Sequence, residues 1–142
     1  MEKVFNLEAI VLAGGKGSRL KSVITDLPKP MAPIGKKPFL EYVLKYLQKN
    51  GMTRIILSVG YQWQIIKVYF GNKFENIELV YSVEEEFLGT GGAIKKAMSQ
   101  VKHNEVYVIN GDTFFEVDLK KLTLADGCKL MMSLKHMKKF DR

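Results

Sequence analysis

Cysteine is almost absent from this chain. The one thiol in 142 residues, Cys128, has no internal partner for a disulfide. With only His103 and His136 beside it, no Cys/His cluster of zinc-ligand spacing exists. No run of 18 or more apolar residues occurs, which excludes a transmembrane helix and argues against a membrane partner. The opening MEKVFNLEAIVLAGGKG has acidic residues before a short apolar run and lacks a small-residue cleavage site, against a secretory signal. What is present is ordinary for a globular domain, 46% apolar and 26% charged, so collagen-like and disordered chains are excluded. A cytoplasmic, single-domain protein spanning residues 1–142 is the expectation.

The net charge of +7 and a pI of about 9.4 raise the question of nucleic acid. Its distribution answers against it. Residues 120–142 hold seven basic and two acidic side chains, a net +5, leaving +2 for residues 1–119. No stripe of Lys and Arg interleaved with aromatics runs along the chain, so no nucleic-acid partner is expected.

Apolar periodicity alternates strand and helix. Ala9–Ala13 is a short, nearly all-apolar strand that runs into glycines. Phe39–Asn50 places Leu40, Val43, Leu44 and Leu47 at helical spacing, with Gly51 as its stop. Arg54–Val59 reads as a buried strand and Tyr61–Phe70 as a helix closed by Gly71. Ile77–Val83 is a strand, Gly91–Val101 a helix, and Glu105–Asn110 a strand ending at Gly111-Asp112. Lys129–Leu134 is one further expected strand. Strand–helix–strand repeated with continuous apolar strands predicts an α/β fold, a parallel sheet covered by helices on both faces. The stretch Leu27-Pro28-Lys29-Pro30-Met31-Ala32-Pro33 is too stiff for a helix and is expected to be an ordered loop.

In such sheets the ligand sits beyond the carboxyl ends of the strands, which selects residues 14–20, 84–92 and 110–113. After the first strand comes Leu12-Ala13-Gly14-Gly15-Lys16-Gly17-Ser18-Arg19-Leu20. Three glycines let the backbone approach a ligand and turn N–H groups toward an anion, and Arg19 can grip phosphate oxygens bidentately. A plain Gly-rich turn is the competing reading. A Walker A loop requires Gly-Lys-Ser/Thr, which is missing, and Leu20 stands where a dinucleotide fingerprint needs its third glycine. Phosphate binding survives both exclusions.

Ala-Gly-Gly-Lys-Gly-Ser-Arg-Leu at 13–20 with Leu-Pro-Lys-Pro-Met at 27–31 resembles the signature of the sugar-1-phosphate nucleotidyltransferases. Ser18 stands where that signature usually has Thr, which keeps the hydroxyl. Leu-Gly-Thr-Gly-Gly-Ala at 88–93 and Asn-Gly-Asp at 110–112 fit the same family in the same order, so the resemblance covers essentially the whole chain. Within the family the chain is most similar to the heptose 1-phosphate guanylyltransferases. The resemblance implies a Rossmann-like, three-layer α/β/α nucleotidyltransferase fold with a predominantly parallel sheet. It also implies transfer of a nucleotide from a nucleoside triphosphate to a sugar 1-phosphate, releasing pyrophosphate.

By the same resemblance, Leu12, Ala13, Gly14, Gly15, Gly17 and Ser18 would bind the nucleotide together with Gly89, Thr90 and Gly91. Arg19 and Lys29 would be the catalytic cations on the transferring phosphates. Asn110 and Gly111 would meet the sugar phosphate, and Asp112 would hold Mg²⁺, which favours one or two carboxylates plus phosphates and water. Glu84 is expected to read guanine, because a carboxylate accepts from the ring N–H and the exocyclic amine together. Its neighbours Glu85 and Glu86 are alternatives that would face the sugar hydroxyls, and a solvated acidic run is the competing reading. A non-catalytic module of the same fold that binds a nucleotide sugar or a partner is the rival function, and the same enzyme class acting with UTP, CTP or dTTP on a hexose 1-phosphate is the further alternative. The sugar-binding half and a second metal carboxylate are expected beyond residue 142, so the C-terminal part is missing, with weak turnover and self-association into a homo-oligomer the consequence. Met31, Met98, Met131, Met132 and Met137 are read as packing residues, as are Trp63 and Cys128. Lys95 and Lys96 are read as solvated, and the two histidines are given no role.

Overall fold

The computed structural model describes residues 6–15, 27–113 and 118–119. The elements run β1 (Leu7–Leu12), a 3₁₀ turn (Lys29–Met31), β2 (Pro33–Ile34), β3 (Lys37–Pro38), α1 (Phe39–Lys49) and β4 (Met52–Val59). They continue with α2 (Trp63–Phe70), β5 (Lys73–Phe74), β6 (Ile77–Val83), α3 (Gly89–Met98) and β7 (Tyr107–Asn110). Among the described residues the main sheet has the order β5-β6-β4-β1-β7. Every pairing in it is parallel except the short β5 edge, which runs antiparallel to β6.

Alternation along β1 explains the layers. Ala9 and Val11 point into a large core with Leu40, Val43, Leu44 and Leu47 of α1 and Ile66 and Phe70 of α2. Ile10 points the other way, against Ile56 and Ala97 of α3. Helices therefore cover both faces, which is why Ala9–Leu12 of β1 and Ile55–Leu57 of β4 are apolar at consecutive positions rather than at every second one. The expected three-layer α/β fold with a mostly parallel sheet is what forms. The first two crossovers place their helices on one face; the third returns across β4 and β1 with α3 on the other.

Element ends moved for local reasons. Gly51 (φ +86°) and Gly71 (φ +65°) close α1 and α2 in the left-handed region, as expected of glycine stops. The second helix begins at Trp63 rather than Tyr61, because Gln62 is itself left-handed (φ 52°) and the Trp63 amide donates to the Gly60 carbonyl in a preceding turn. α3 begins at Gly89 and leaves α-geometry at Met98. Ser99, Gln100 and Val101 donate to carbonyls only three residues back. The Pro-rich stretch does take a helical turn after all, with the Met31 and Ala32 amides bonded to the Pro28 and Lys29 carbonyls. One 3₁₀ turn tolerates Pro30 because that position has no intrahelical amide bond to lose. The small β2–β3 hairpin and β5 have no counterpart in the periodicity, being two residues per strand. Met98 is 46% exposed and not a packing residue, whereas Met31 is buried and Trp63 half-buried against the core. The expected strand 129–134, Cys128, His136 and the other tail methionines lie outside the described residues.

At the opposite end of the sheet from the carboxyl termini, an ionic cluster ties three segments together. Glu8 on β1 accepts from Arg54 on β4 and from the Lys102 and His103 amides of the α3–β7 connection. Arg54 also donates to the Gln100 carbonyl (2.7 Å) and lies 3.2 Å from the Glu78 carboxylate. Glu8 is 1% and Arg54 8% exposed.

Candidate active site

The parallel register brings four strand ends together: Leu12 opposite Ser58, Ser58 opposite Ser82, and Leu12 opposite Asn110. A cleft of about 320 Å³ opens beyond them. From the end of β1 come Leu12, Ala13, Gly14 and Gly15; from the 3₁₀ turn comes Lys29 between Pro28 and Pro30. Ser58 ends the β4 wall, and Glu84 follows β6. Phe87, Gly89, Thr90 and Ala93 contribute the lip and first turn of α3, and Asn110 and Asp112 follow β7.

Ten of the residues expected at the site thus meet on one surface: Leu12, Ala13, Gly14, Gly15, Lys29, Glu84, Gly89, Thr90, Asn110 and Asp112. Gly91 and Gly111 are not on its wall. Gly111 is buried, its amide donating to the Leu12 carbonyl (2.9 Å), and so extends the β1–β7 ladder just past Asn110. A Cβ there would stand 3.0 Å from that same oxygen, so glycine relieves crowding in the strand packing. Gly17, Ser18 and Arg19 lie outside the described residues. Ser58, Phe87 and Ala93 were missed. Ser58 had a signal, as a polar residue near the carboxyl end of a buried strand; Phe87 lies in the selected segment 84–92 and Ala93 in the 88–93 motif, but neither residue type marks a contact.

Lys29 and Asp112 meet across 83 residues of sequence. The lysine Nζ donates to Asp112 Oδ2 at 2.7 Å, and Thr113 Oγ1 donates to Asp112 Oδ1 at 3.1 Å. The Lys29 hydrogen bond holds the Asp112 carboxyl below its ordinary range against the opposing effect of partial burial. Asp112 is therefore an anionic acceptor at a strand end, paired with a lysine.

Glu84 is held on three sides. Its Oε1 accepts from Ser58 Oγ (3.3 Å) and its Oε2 from the Leu88 amide (3.2 Å), while its own amide donates to the Val59 carbonyl (2.7 Å). Gly14 forms the third side: a Cβ on it would fall 2.8 Å from Glu84 Oε1. Glu85 and Glu86 are exposed and absent from the cleft wall. Of the three acidic neighbours, Glu84 alone lines the cleft.

No group of three or more His, Cys, Asp or Glu side chains is assembled for a metal among the described residues. The Asp112 carboxylate at the cleft nonetheless suits Mg²⁺, which takes few protein ligands and completes its shell with substrate phosphates and water.

A mostly parallel sheet in three layers, with glycines, a lysine and an aspartate lining a cleft beyond its strand ends, is the arrangement of a nucleotide-phosphate-binding class. The chain belongs to the nucleotidyl transferase family, whose model matches residues 8–126. It is 54% identical over 136 residues to the D-glycero-alpha-D-manno-heptose 1-phosphate guanylyltransferase of Campylobacter jejuni, covering 96% of this chain and 61% of that protein. Identity to the enzyme of the same name from Aneurinibacillus thermoaerophilus is 51% over 139 residues, covering 96% and 60%. The solved structure of HddC from Yersinia pseudotuberculosis complexed with GMP-PN superposes with a TM-score of 0.70 at 46% identity, over 81% of this chain and 52% of that one. The chain thus spans about three-fifths of the length of the two curated relatives.

Among the described residues no helix is long and apolar enough to cross a membrane.

Proposed function

We propose that the chain carries the nucleotide-binding half of a guanylyltransferase acting on a heptose 1-phosphate. The observation that carries this reading is the convergence of Gly14, Gly15, Lys29, Glu84 and Asp112 on one cleft, together with relatives of that activity above 50% identity. An oxygen of the sugar phosphate attacks the α-phosphorus of GTP; the new O–P bond forms as the bridge to the β-phosphate breaks, and pyrophosphate departs. Such a reaction asks the protein for alignment and charge neutralisation rather than covalent chemistry.

Each residue has a part in that task. The Gly14 and Gly15 amides approach the triphosphate closely because no side chain intervenes. Lys29, delivered by a proline-flanked turn, neutralises the α-phosphate once it leaves Asp112. Asp112 would hold Mg²⁺, which supplies electrostatic stabilisation of the phosphate charge. Arg19 acts on the leaving β- and γ-phosphates, where negative charge grows. Glu84 accepts from guanine N1–H and the exocyclic amine, a pairing that a pyrimidine cannot satisfy, so a wrong base leaves the carboxylate desolvated and unpaired. Loss of Lys29 or Asp112 would favour a non-catalytic binding module; both are present and in contact. Pyrophosphate release, measured with GTP, UTP, CTP and dTTP against heptose, mannose and glucose 1-phosphates, tests the proposal. GTP with the heptose is expected to lead. A ranking headed by a pyrimidine triphosphate would overturn the base assignment.

A further inference from the structure

The base-reading role of Glu84 leaves a physical problem. A glutamate side chain has three rotatable bonds, and its terminal carboxylate turns through a broad, two-fold torsion. Two adjacent donors on a purine edge are met together only when the carboxylate plane is aligned with them. Ordering that rotor at the moment of binding costs conformational entropy, which subtracts from discrimination between bases.

In this fold the rotor is already ordered. Ser58 is fully buried on the central strand β4, and its hydroxyl reaches Glu84 Oε1 at 3.3 Å. The Leu88 amide, one of the amides at the start of α3 with no intrahelical acceptor, reaches Oε2 at 3.2 Å. Each oxygen is therefore tethered by one donor from a different element. Gly14 closes the remaining side, since Oε1 occupies the space a side chain would need. A carboxylate has about four acceptor directions, so the two tethers leave one or more on each oxygen for an incoming base. On the same face of β4, two residues back, stands the apolar and equally buried Ile56, so the Ser58 hydroxyl marks a change of chemistry at the cleft end of the strand.

We infer that Ser58 is a positioning residue for base selection: with the Leu88 amide it locks the Glu84 carboxylate in the orientation that meets the two adjacent donors of a guanine edge. This rests on Glu84 being the base reader. Ser58 lines the cleft and acts on the base through Glu84.

Calorimetric titration of GTP, ITP and inorganic tripolyphosphate tests it. ITP lacks only the exocyclic amine, and tripolyphosphate lacks the base altogether. Ser58→Ala is expected to narrow the GTP-to-ITP affinity ratio about three- to tenfold, the worth of one hydrogen bond, without changing tripolyphosphate affinity. Ser58→Thr, which keeps the hydroxyl, restores the ratio. Gly14→Ala, which displaces Oε1 from the other side, narrows it as well, and thermal melts establish that each variant is folded before titration. If Ser58→Ala weakens all three ligands equally, the serine is merely structural and the inference is overturned. If Glu84→Gln narrows the ratio and Ser58→Ala leaves it intact, the inference fails while Glu84 stands as base reader. If Glu84→Gln also leaves it intact, base reading by Glu84 fails, and the role of Ser58 with it.

Discussion

Replacing Glu8 by Gln keeps the shape of the side chain and removes its charge from a site that is 1% exposed. Three donors then lose an anion: Arg54, and the Lys102 and His103 amides. Removing one member of a buried ion pair costs about 3–5 kcal/mol, because the survivor is left desolvated. Arg54 keeps the Gln100 carbonyl and the half-exposed Glu78, so the lower part of that range applies, ~3 kcal/mol. For a domain of this size that lowers the melting temperature by roughly 10 °C. Glu8 also dictates a pH dependence. Burial alone would raise its carboxyl, but hydrogen bonds from His103, Arg54 and Lys102 more than offset this and hold it below its ordinary value of 4.5. A group depressed in the folded state binds protons more readily once unfolded. Its stabilisation is complete above about pH 4.5 and is lost as the pH falls through the lower, folded value. Urea denaturation of the wild type and Glu8→Gln between pH 3 and 7 is the assay. The gap between the two is expected to be constant near neutrality and to shrink below pH 4.5. In the Glu8→Gln background, Arg54→Met is expected to cost much less than it does alone. A variant within 0.5 kcal/mol of wild type at pH 7, where surface substitutions fall, would refute the reasoning, as would an unchanged acid limb.

Gly111→Ala is expected to destabilise by roughly 1–3 kcal/mol in urea, because its Cβ would press on the Leu12 carbonyl at 3.0 Å and on Val11 Cγ1 at 3.1 Å between two paired strands. Lys29→Met is expected to raise the affinity of the nucleotide-free protein for Mn²⁺ a few-fold, measured by electron paramagnetic resonance. The lysine ammonium bonded to Asp112 Oδ2 competes for that oxygen, and stability should move by under about 1 kcal/mol because the pair is half-exposed. Arg19→Ala is expected to lower kcat by ~10²–10³-fold in pyrophosphate release, the usual loss for one transition-state charge contact, and near-normal turnover would remove Arg19 from the mechanism.

The strands and helices were legible because each advertises its burial locally. LEAIVL and RIILSV carry consecutive apolar residues since helices cover both faces, and Gly51 and Gly71 end helices where only a residue free to adopt positive φ fits. Glycines around 14, a lysine between prolines and an aspartate after a strand were legible for the same reason, as residue types placed at strand ends. Which atoms meet was not. Among Glu84, Glu85 and Glu86 the residue type is identical, and only the turn from β6 into α3 decides that Glu84 reaches the Leu88 amide and the cleft while the other two face solvent. Ser58 acquires its partner 26 residues away, Lys29 its partner 83 away and Glu8 its partner 46 away. Those distances are products of parallel register and crossover direction, which no window along the chain contains. Periodicity records which face a residue buries; the pairing of strands decides what it finds there.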